Sequence, residues 1–380
     1  LEGKVVGGVT WSLLAQSVAD LDGDGSAEVL AHANDIDGET GAAMIFWGGR
    51  ILDGYDFSGD DFESDPDISI VMGVGSLPLL GDINGDGMQE AVSGGGASCE
   101  IRSLDPTLLT AGGVMQWDDL PLVTQIQDDT YFSSSLCDNV AAGDVNGDHV
   151  NDVIFADTGS YDYGYGIIRL MYGQTDWPSA ITVNGDTMTA GVDYLMFTGT
   201  QDSSFAGDVM TVNDVNNDGY ADVFIGSRGH DNGEPDSGAV YAFDGYGLFS
   251  GYESGDNIML TTTGVDRMME SGKIVYGSGA SDALPISLTT YVDDECPALA
   301  GISAASANDT VYYLFSGSTL ESLPQESTAA DADQTVTAGS GSAWYGARSV
   351  SGDVTGDGVP DRILSDYGFN SSQGAVYVYE

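Results

Sequence analysis

A nine-residue acidic segment occurs five times in this 380-residue chain, and its spacing restricts the fold more than any other feature. The copies begin at Asp20, Asp82, Asp144, Asp214 and Asp353, at separations of 62, 62, 70 and 139 residues. Because the last separation is close to two periods, we expect a degenerate sixth copy near residue 290 that has lost the aspartate spacing. A period of this length indicates one architecture assembled from similar units.

The flanks of the acidic segment repeat as well. A β-branched or alternating run precedes each copy, and an apolar run such as EVLAHA or DVIFAD follows it. A turn and a third run come next, as in GAVYAFDG, and a more variable fourth run closes the unit, as in DYLMFTG or NIMLTTT. Four strands in about 62 residues, without helical periodicity, predict the blade of an all-β propeller.

Six such blades can be counted in a single domain spanning residues 1–380. The chain ends after the third strand of its last unit, at GAVYVYE, and it begins with KVVGGV, which reads as a spare fourth strand. We therefore expect residues 1–9 to pair with the C-terminal strand and to close the last blade, because pairing removes two sheet edges. An insertion at about residues 264–285, in blade 5, is predicted to form a surface loop with a small hairpin.

Charge excludes several classes of partner. The chain has 9 basic and 60 acidic residues, for a formal charge of −51, which repels nucleic acid and anionic membrane surfaces. No apolar run is long enough to span a membrane, so no membrane insertion is expected. The first residues lack the basic and apolar regions of a signal peptide, and we expect any such signal to have been removed. Three scattered cysteines allow one bridge whose pairing is open.

Each acidic segment places oxygen-bearing side chains at positions 1, 3, 5 and 9. Ca²⁺ is a hard cation that takes six to eight oxygen ligands, and alternate residues of a tight loop can point carboxylates at one centre. The main-chain carbonyl at position 7 would fill the remaining gap. The sequence therefore predicts about five calcium ions and a fold that is stabilised by them. The predicted ligands are Asp20, Asp22, Asp24, Ser26, Glu28, Asp82, Asn84, Asp86, Met88, Glu90, Asp144, Asn146, Asp148, Val150, Asp152, Asp214, Asn216, Asp218, Tyr220, Asp222, Asp353, Thr355, Asp357, Val359 and Asp361.

Position 6 is glycine in four of the five copies and is expected to adopt positive φ in a sharp turn. His149 occupies this position in the third copy. Histidine enters the left-handed region less easily than glycine, so the third copy is the weakest member of the set. An EF-hand is excluded, because flanking helices and a glutamate at position 12 are missing.

The repeat resembles the FG-GAP family, the propeller of integrin α-subunits, through its D-x-[DN]-x-D-G-x-x-D loop and through GAVYAF at Gly238 and GAVYVY at Gly374. It departs from that family because the leading FG pair is largely absent and because one unit lacks a metal loop. Family members commonly have seven blades, so seven remains an alternative to six. The resemblance implies that ligands meet the face opposite the calcium loops. Carried over, that face includes Tyr161, Tyr163, Tyr165, His230, Asp231, Arg267, Lys273, Tyr367 and Phe369.

These features predict an extracellular or cell-surface module that binds or adheres to a glycan or protein, because exposed tyrosines offer a flat apolar face with a polar tip. A first alternative is a structural subunit of a surface layer, sheath or filament, in which copies of the chain assemble. A second alternative is a polysaccharide lyase or hydrolase using His230, Asp231 and Tyr165. No serine elbow, HExxH, CxxC or phosphate loop occurs, so the sequence favours a protein that is not an enzyme.

Overall fold

Among the described residues of a computed structural model, six separate β-sheets follow one another along the chain. The structure describes residues 13–21, 28–36, 39–47, 68–72, 78–95, 97–109, 113–129, 136–137, 139–158, 165–184, 187–188, 191–199, 205–231, 236–260, 272–277, 287–291, 299–305, 310–324, 326–337, 345–352, 361–366 and 375–379.

The first three sheets share one pattern, in which four antiparallel strands are joined at the outer edge by strands from further along the chain. Sheet 1 contains β1 (Leu13–Ala19), β2 (Glu28–Ile36), β3 (Glu39–Phe46), β4 (Ile68–Met72) and β8 (Val114–Gln116). Sheet 2 contains β5 (Leu79–Gly81), β6 (Glu90–Gly95), β7 (Ser98–Ser103), β9 (Leu122–Asp128), β13 (Ala180–Asn184) and β14 (Thr187–Met188). Sheet 3 contains β10 (Asn139–Gly143), β11 (Asp152–Asp157), β12 (Ile167–Met171), β15 (Tyr194–Gly199) and β19 (Asn257–Leu260).

The remaining sheets repeat the pattern in the second half of the chain. Sheet 4 contains β16 (Met210–Asn213), β17 (Asp222–Ser227), β18 (Ala239–Phe243), β20 (Gly272–Tyr276) and β24 (Glu326–Thr328). Sheet 5 contains β21 (Ser287–Tyr291), β22 (Leu299–Ala305), β23 (Thr310–Ser316) and β25 (Gln334–Thr337). Sheet 6 contains β26 (Tyr345–Gly352), β27 (Asp361–Asp366) and β28 (Ala375–Tyr379). In the described ranges, two short α-helices, α1 (Gly245–Gly251) and α2 (Gly317–Ser322), follow the third strands of sheets 4 and 5.

The predicted unit of four antiparallel strands is confirmed in sheets 1 to 5, and sheet 6 shows its first three strands among the described residues. The degenerate copy near residue 290 forms the first two strands of sheet 5, which pair from Ser287↔Ser303 to Tyr291↔Leu299. The expected closing strand at residues 1–9 lies outside the described residues.

A fifth strand links each of the first four sheets to the next one. It is β8 on sheet 1, β13 on sheet 2, β19 on sheet 3 and β24 on sheet 4, and each runs parallel to the fourth strand beside it. Each comes from the connection between the third and fourth strands of the following unit. Backbone hydrogen bonds therefore cross every boundary from sheet 1 to sheet 5, and they also cover the outer sheet edges.

Two expectations, one for the fourth unit and one for an insertion in blade 5, are corrected by this pairing. NIMLTTT was expected to be its fourth strand, but Asn257–Leu260 pairs with β15 of sheet 3 instead. The true fourth strand, Gly272–Tyr276, lies inside the segment 264–285 that was expected to be an insertion, and it pairs with β18. Periodicity could not separate the two runs, because a fourth and a fifth strand have the same apolar pattern.

Apolar clusters lie between consecutive sheets. One cluster joins sheets 3 and 4 through Phe197 and Phe243, whose ring centroids are 5.0 Å apart. Others join sheets 1 and 2, sheets 2 and 3, and sheets 4 and 5. First strands also contact the first strand of a neighbouring sheet, in the pairs β5·β10, β10·β16, β16·β21, β21·β26 and β26·β1. The sheets thus follow one another in a propeller-like arrangement. No helix of the described part of the chain is long and apolar enough to cross a membrane.

One disulfide joins Cys99, at the start of β7, to Cys137, just before β10. It therefore ties sheet 2 to the segment that enters sheet 3, and both cysteines are buried in the cluster between these sheets. The sequence left this pairing open because strand order across two units cannot be read from cysteine spacing. The third cysteine, Cys296, lies outside the described residues.

Candidate functional site

Three of the five acidic loops are described in full: residues 82–90, 144–152 and 214–222. Each connects the first strand of its sheet to the second, so all three lie at the same end of their sheets. Residues 22–27 of the first loop and residues 353–360 of the fifth lie outside the described part of the chain. Glu28 of the first loop is buried and accepts a hydrogen bond from the Leu21 N–H.

The carboxylate at position 1 organises each loop. Asp144 accepts hydrogen bonds from the N–H groups of Asp148 at 3.0 Å and His149 at 2.8 Å. Asp214 does the same for Asp218 at 3.1 Å and Gly219 at 2.8 Å. In loop 82–90, the carboxylate of Asp82 accepts from several consecutive N–H groups, including that of Gly87 at 2.8 Å. The same turn is thus built three times from the same residue pattern.

The side chains at positions 3 and 5 also accept hydrogen bonds from backbone N–H groups of the same loop. The side-chain oxygen at position 3 accepts from the N–H at position 5, at 2.9 to 3.1 Å in the three loops. The carboxylate at position 5 accepts from the N–H at position 7, at 2.8 to 2.9 Å. Each oxygen has two lone pairs, so an oxygen that accepts one N–H can still coordinate a cation.

Two residues of each loop lie in the left-handed region, at positions 4 and 6. The expected positive φ at position 6 is confirmed at Gly87 (84°) and Gly219 (89°), and His149 also adopts it (70°). Because His149 occupies the same conformation as the glycines, the third loop has the shape of the other two. The left-handed residue at position 4 was not predicted, although glycine or asparagine stands there in all three loops.

The carboxylate at position 9 is buried and anchors the loop to its sheet. Asp152 accepts from Val145 N at 2.8 Å and from Gly173 N, beyond the third strand, at 2.7 Å. Asp222 accepts equivalently from Val215 N at 3.1 Å and Gly245 N at 3.0 Å. Burial raises the pKa of Asp152, Asp222 and Glu90 to about 7 in each case. Position 9 therefore has a structural role besides the metal ligation predicted for it.

The donor set of these loops consists of carboxylate, amide and carbonyl oxygens, which is the chemistry that a hard cation such as Ca²⁺ requires. Within the described ranges, no group of three or more His, Cys, Asp or Glu side chains is arranged so as to hold a metal ion. The oxygens at positions 1, 3 and 5 instead point at backbone N–H groups of the same loop. The residue types fit calcium, and the predicted ligand sets remain predictions.

The opposite end of the sheets carries the residues predicted to meet a ligand. Tyr165 is half-buried and Asp231 is exposed, in the connections between second and third strands of sheets 3 and 4. Lys273 lies within strand β20 rather than in a loop. The other predicted residues, apart from His230, lie outside the described residues: Tyr161, Tyr163, Arg267, Tyr367 and Phe369.

His230 is buried rather than presented to a ligand, with 1% of its surface exposed. Its Nδ1 lies 3.2 Å from the Tyr241 hydroxyl, and its ring stacks on Tyr276 with centroids 5.7 Å apart. Burial lowers the pKa of His230, which favours the neutral ring. The expectation that His230 lies on an open recognition face is therefore wrong, because the ring packs against two strands of sheet 4.

A cluster that the sequence reasoning missed lies at this end of sheet 4. Arg228 forms an ion pair with Asp208, with Nε and Oδ2 2.9 Å apart, and its guanidinium carbon lies 5.4 Å from the Phe205 ring centroid. The Arg228 side chain is 55% exposed, while that of Asp208 is only 10% exposed. Residues 205–208 read Phe-Ala-Gly-Asp, which places an aromatic ring and a carboxylate of this cluster close together in the sequence. That Phe-Ala-Gly-Asp segment was the available signal.

Asp208 gives a testable pH dependence. Burial raises its pKa to about 7, above the value of about 4 expected in the unfolded chain. Between these values the folded state binds more protons, so the free energy of unfolding falls as pH rises from about 4 to about 7, by at most about 1.4 kcal/mol per pH unit. We expect Asp208→Asn to remove this contribution, as measured by urea unfolding across this pH range in high salt. The exposed Asp231→Asn is the control, and curves for Asp208→Asn that run parallel to the wild type would contradict the assignment.

Residues 205–243 match the FG-GAP repeat model. A search of curated proteins gives no match. Similar solved structures include the Dos1 propeller, which is 8% identical with a TM-score of 0.42, covering 95% of this chain and 70% of that one. They also include a Bacillus licheniformis rhamnogalacturonan lyase, which is 14% identical with a TM-score of 0.38, covering 99% and 73%.

The expectation that this protein is not an enzyme is corrected by these neighbours. Two of them are rhamnogalacturonan lyases, the second being the exotype lyase YesX at 13% identity and a TM-score of 0.35, covering 97% of this chain and 72% of that one. Identities and TM-scores this low transfer no activity to this chain.

The matched segment, Phe205 to Phe243, contains the Phe-Ala-Gly-Asp start, the acidic loop 214–222 and the GAVYAF strand of sheet 4. The acidic loop and the GAVYAF strand are two of the elements from which the resemblance was drawn, and the all-β, propeller-like architecture agrees with it. The chain carries an FG-GAP repeat at residues 205–243.

Proposed function

We propose that this chain is a calcium-stabilised binding or adhesion module that works outside the cell, built as a closed propeller of six blades. The acidic loops bind about five calcium ions, and the opposite face recognises a glycan or a protein. The observation that carries the proposal is the threefold repetition of one loop conformation, with oxygens at the same positions. Polar turns without a common purpose would not need to conserve this conformation between units.

Electrostatics supports the calcium part of the proposal. The chain has 60 acidic residues and 9 basic ones, and each described loop holds three carboxylates within nine residues. Clustered carboxylates repel one another unless a cation lies between them. Each bound ion would add about 2.7 kcal/mol to the free energy of unfolding when free calcium is 100-fold above its dissociation constant.

The recognition part rests on the surface around sheet 4. Phe205 is 36% exposed and stacks with Arg228, and Asp231 lies close by in the chain. An aromatic ring beside a guanidinium and a carboxylate can stack on a sugar ring and hydrogen-bond to its hydroxyls, or can anchor a polar peptide. The strong negative charge argues against nucleic acid as the partner.

Calcium titration of chelator-stripped protein, followed by calorimetry and light scattering, tests the proposal. We expect about five bound ions per chain and a melting temperature that falls by well over 10 °C when a chelator is added, as summed ligand linkage would require. Binding of zero or one ion would overturn the proposal. Growth of large particles with calcium would instead support a structural subunit that assembles with copies of itself. Binding to a glycan array that Arg228→Ala weakens would support recognition by the opposite face.

A further inference from the structure

Consecutive acidic loops touch one another across the boundary between their sheets. Asn151, at position 8 of loop 144–152, donates its N–H to the carbonyl of Asp82, at position 1 of the preceding loop, at 2.8 Å. Ala221, at position 8 of loop 214–222, donates to the carbonyl of Asp144 at 2.7 Å. The same contact thus occurs at both boundaries between described loops, from position 8 of one loop to position 1 of the loop before it.

The peptide group that makes this contact is also a proposed ligand. The N–H of Asn151 and the carbonyl of Val150 belong to one planar peptide unit, and the carbonyl at position 7 is a predicted metal ligand. The N–H of Ala221 and the carbonyl of Tyr220 are related in the same way. Because the peptide unit is rigid, fixing the direction of its N–H also fixes the direction of its carbonyl. The preceding loop therefore orients a proposed ligand of the following loop.

Side chains reinforce the contact. Tyr220, at position 7, covers Gly147 at position 4 of the preceding loop so closely that a Cβ on Gly147 would lie 2.8 Å from the ring. Val150 covers Gly85 in the same way, with a corresponding distance of 3.5 Å. In addition, the Asn151 side-chain amide donates to the Leu80 carbonyl at 3.0 Å. A change of shape in one loop would therefore disturb its neighbour through packing as well as through the backbone.

We propose that calcium binding by loops 82–90, 144–152 and 214–222 is positively coupled in series through the peptide units 150–151 and 220–221. The inference rests on the proposed function, since it requires that the loops bind calcium. An ion that orders one loop fixes the carbonyl of its position-1 residue, which fixes the carbonyl ligand of the next loop. Coupling free energies are reciprocal, so occupancy of the later loop also favours occupancy of the earlier one.

The first test removes one exposed ligand and observes the neighbouring loop. Calcium titration calorimetry of chelator-stripped full-length Asp86→Asn, compared with wild type, is expected to show the loss of one ion and at least about 5-fold weaker binding of another. If one ion is lost while the remaining dissociation constants stay unchanged, the loops are independent, and the coupling is overturned although the proposed function stands. If the wild type itself binds no calcium, the proposed function fails.

The second test leaves every proposed ligand atom in place. Tyr220→Ala removes the ring that covers Gly147, whereas Tyr220→Phe keeps it, and both keep the main-chain carbonyl. We expect Tyr220→Ala to weaken calcium binding by at least about 5-fold at one site besides its own and to lower the Hill coefficient, with Tyr220→Phe matching wild type. Identical titrations for the two variants would contradict the role of this contact. Circular dichroism without calcium checks that both remain folded, and Asp86→Asn decides the question if Tyr220→Ala does not fold.

Discussion

Removing the Cys99–Cys137 disulfide is expected to lower the free energy of unfolding by about 4 kcal/mol, the chain-entropy value for a loop closed over 38 residues. Both cysteines are buried between sheets 2 and 3, so alanine is the appropriate replacement, since serine would bury an unpaired hydroxyl. Urea unfolding of Cys99→Ala/Cys137→Ala in excess calcium measures the effect.

Two comparisons make this experiment decisive. Wild-type protein under a reducing agent should unfold at nearly the same urea concentration as the double variant, because both lack the bond. The double variant should keep the same unfolding midpoint with and without the reducing agent, because it has no bond there to lose. Recovery of free thiols at both Cys99 and Cys137 from the native protein, or an unchanged unfolding midpoint in the double variant, would refute the pairing.

Gly166→Ala should destabilise the protein by about 3 kcal/mol or more, because two penalties act together. Gly166 has a φ of 79°, in the region that L-residues enter at a cost of about 1–2 kcal/mol. A Cβ there would also overlap the carbonyl oxygen of Ala206, a backbone atom that cannot move aside as a side chain can. The overlap lies where sheet 3 meets the segment that enters sheet 4.

Gly191 provides the matched control for this substitution. Its φ is 101°, but a Cβ at Gly191 would meet no atom within 4 Å. Gly191→Ala should therefore lower the free energy of unfolding only by the conformational cost of positive φ. The difference in free energy of unfolding between the two variants isolates the overlap with Ala206. Equal losses of stability in urea unfolding would show that the backbone around Ala206 can relax.

The local parts of the fold could be predicted from the sequence because each is encoded within a few residues. The acidic loops, the apolar strands on either side of them and the positive φ at position 6 follow from residue type and spacing. His149 shows that the loop context can place a non-glycine residue in that conformation. The second and third strands were likewise placed correctly, since turn residues separate them.

What could not be predicted depends on contacts between units. The parallel pairing of Asn257–Leu260 with sheet 3 leaves no mark in the apolar pattern, because strands in different sheets have the same alternation. The burial of His230 depends on the packing of its ring against Tyr241 and Tyr276, which lie on two later strands of the sheet. The Arg228–Asp208 pair was missed because twenty residues and an entire loop separate its partners.

The fifth strands have a consequence for how such a protein can be cut or rearranged. The strands β8, β13, β19 and β24 each pair with the sheet of the preceding unit. The boundaries of the sequence repeat therefore do not coincide with the boundaries of the sheets. A gene fragment that ends at a repeat boundary would lack the outermost strand of its final blade and would expose that edge. Deleting one repeat would remove a strand from the blade before it. Each of these boundaries between units is therefore covered by a strand that the following unit supplies.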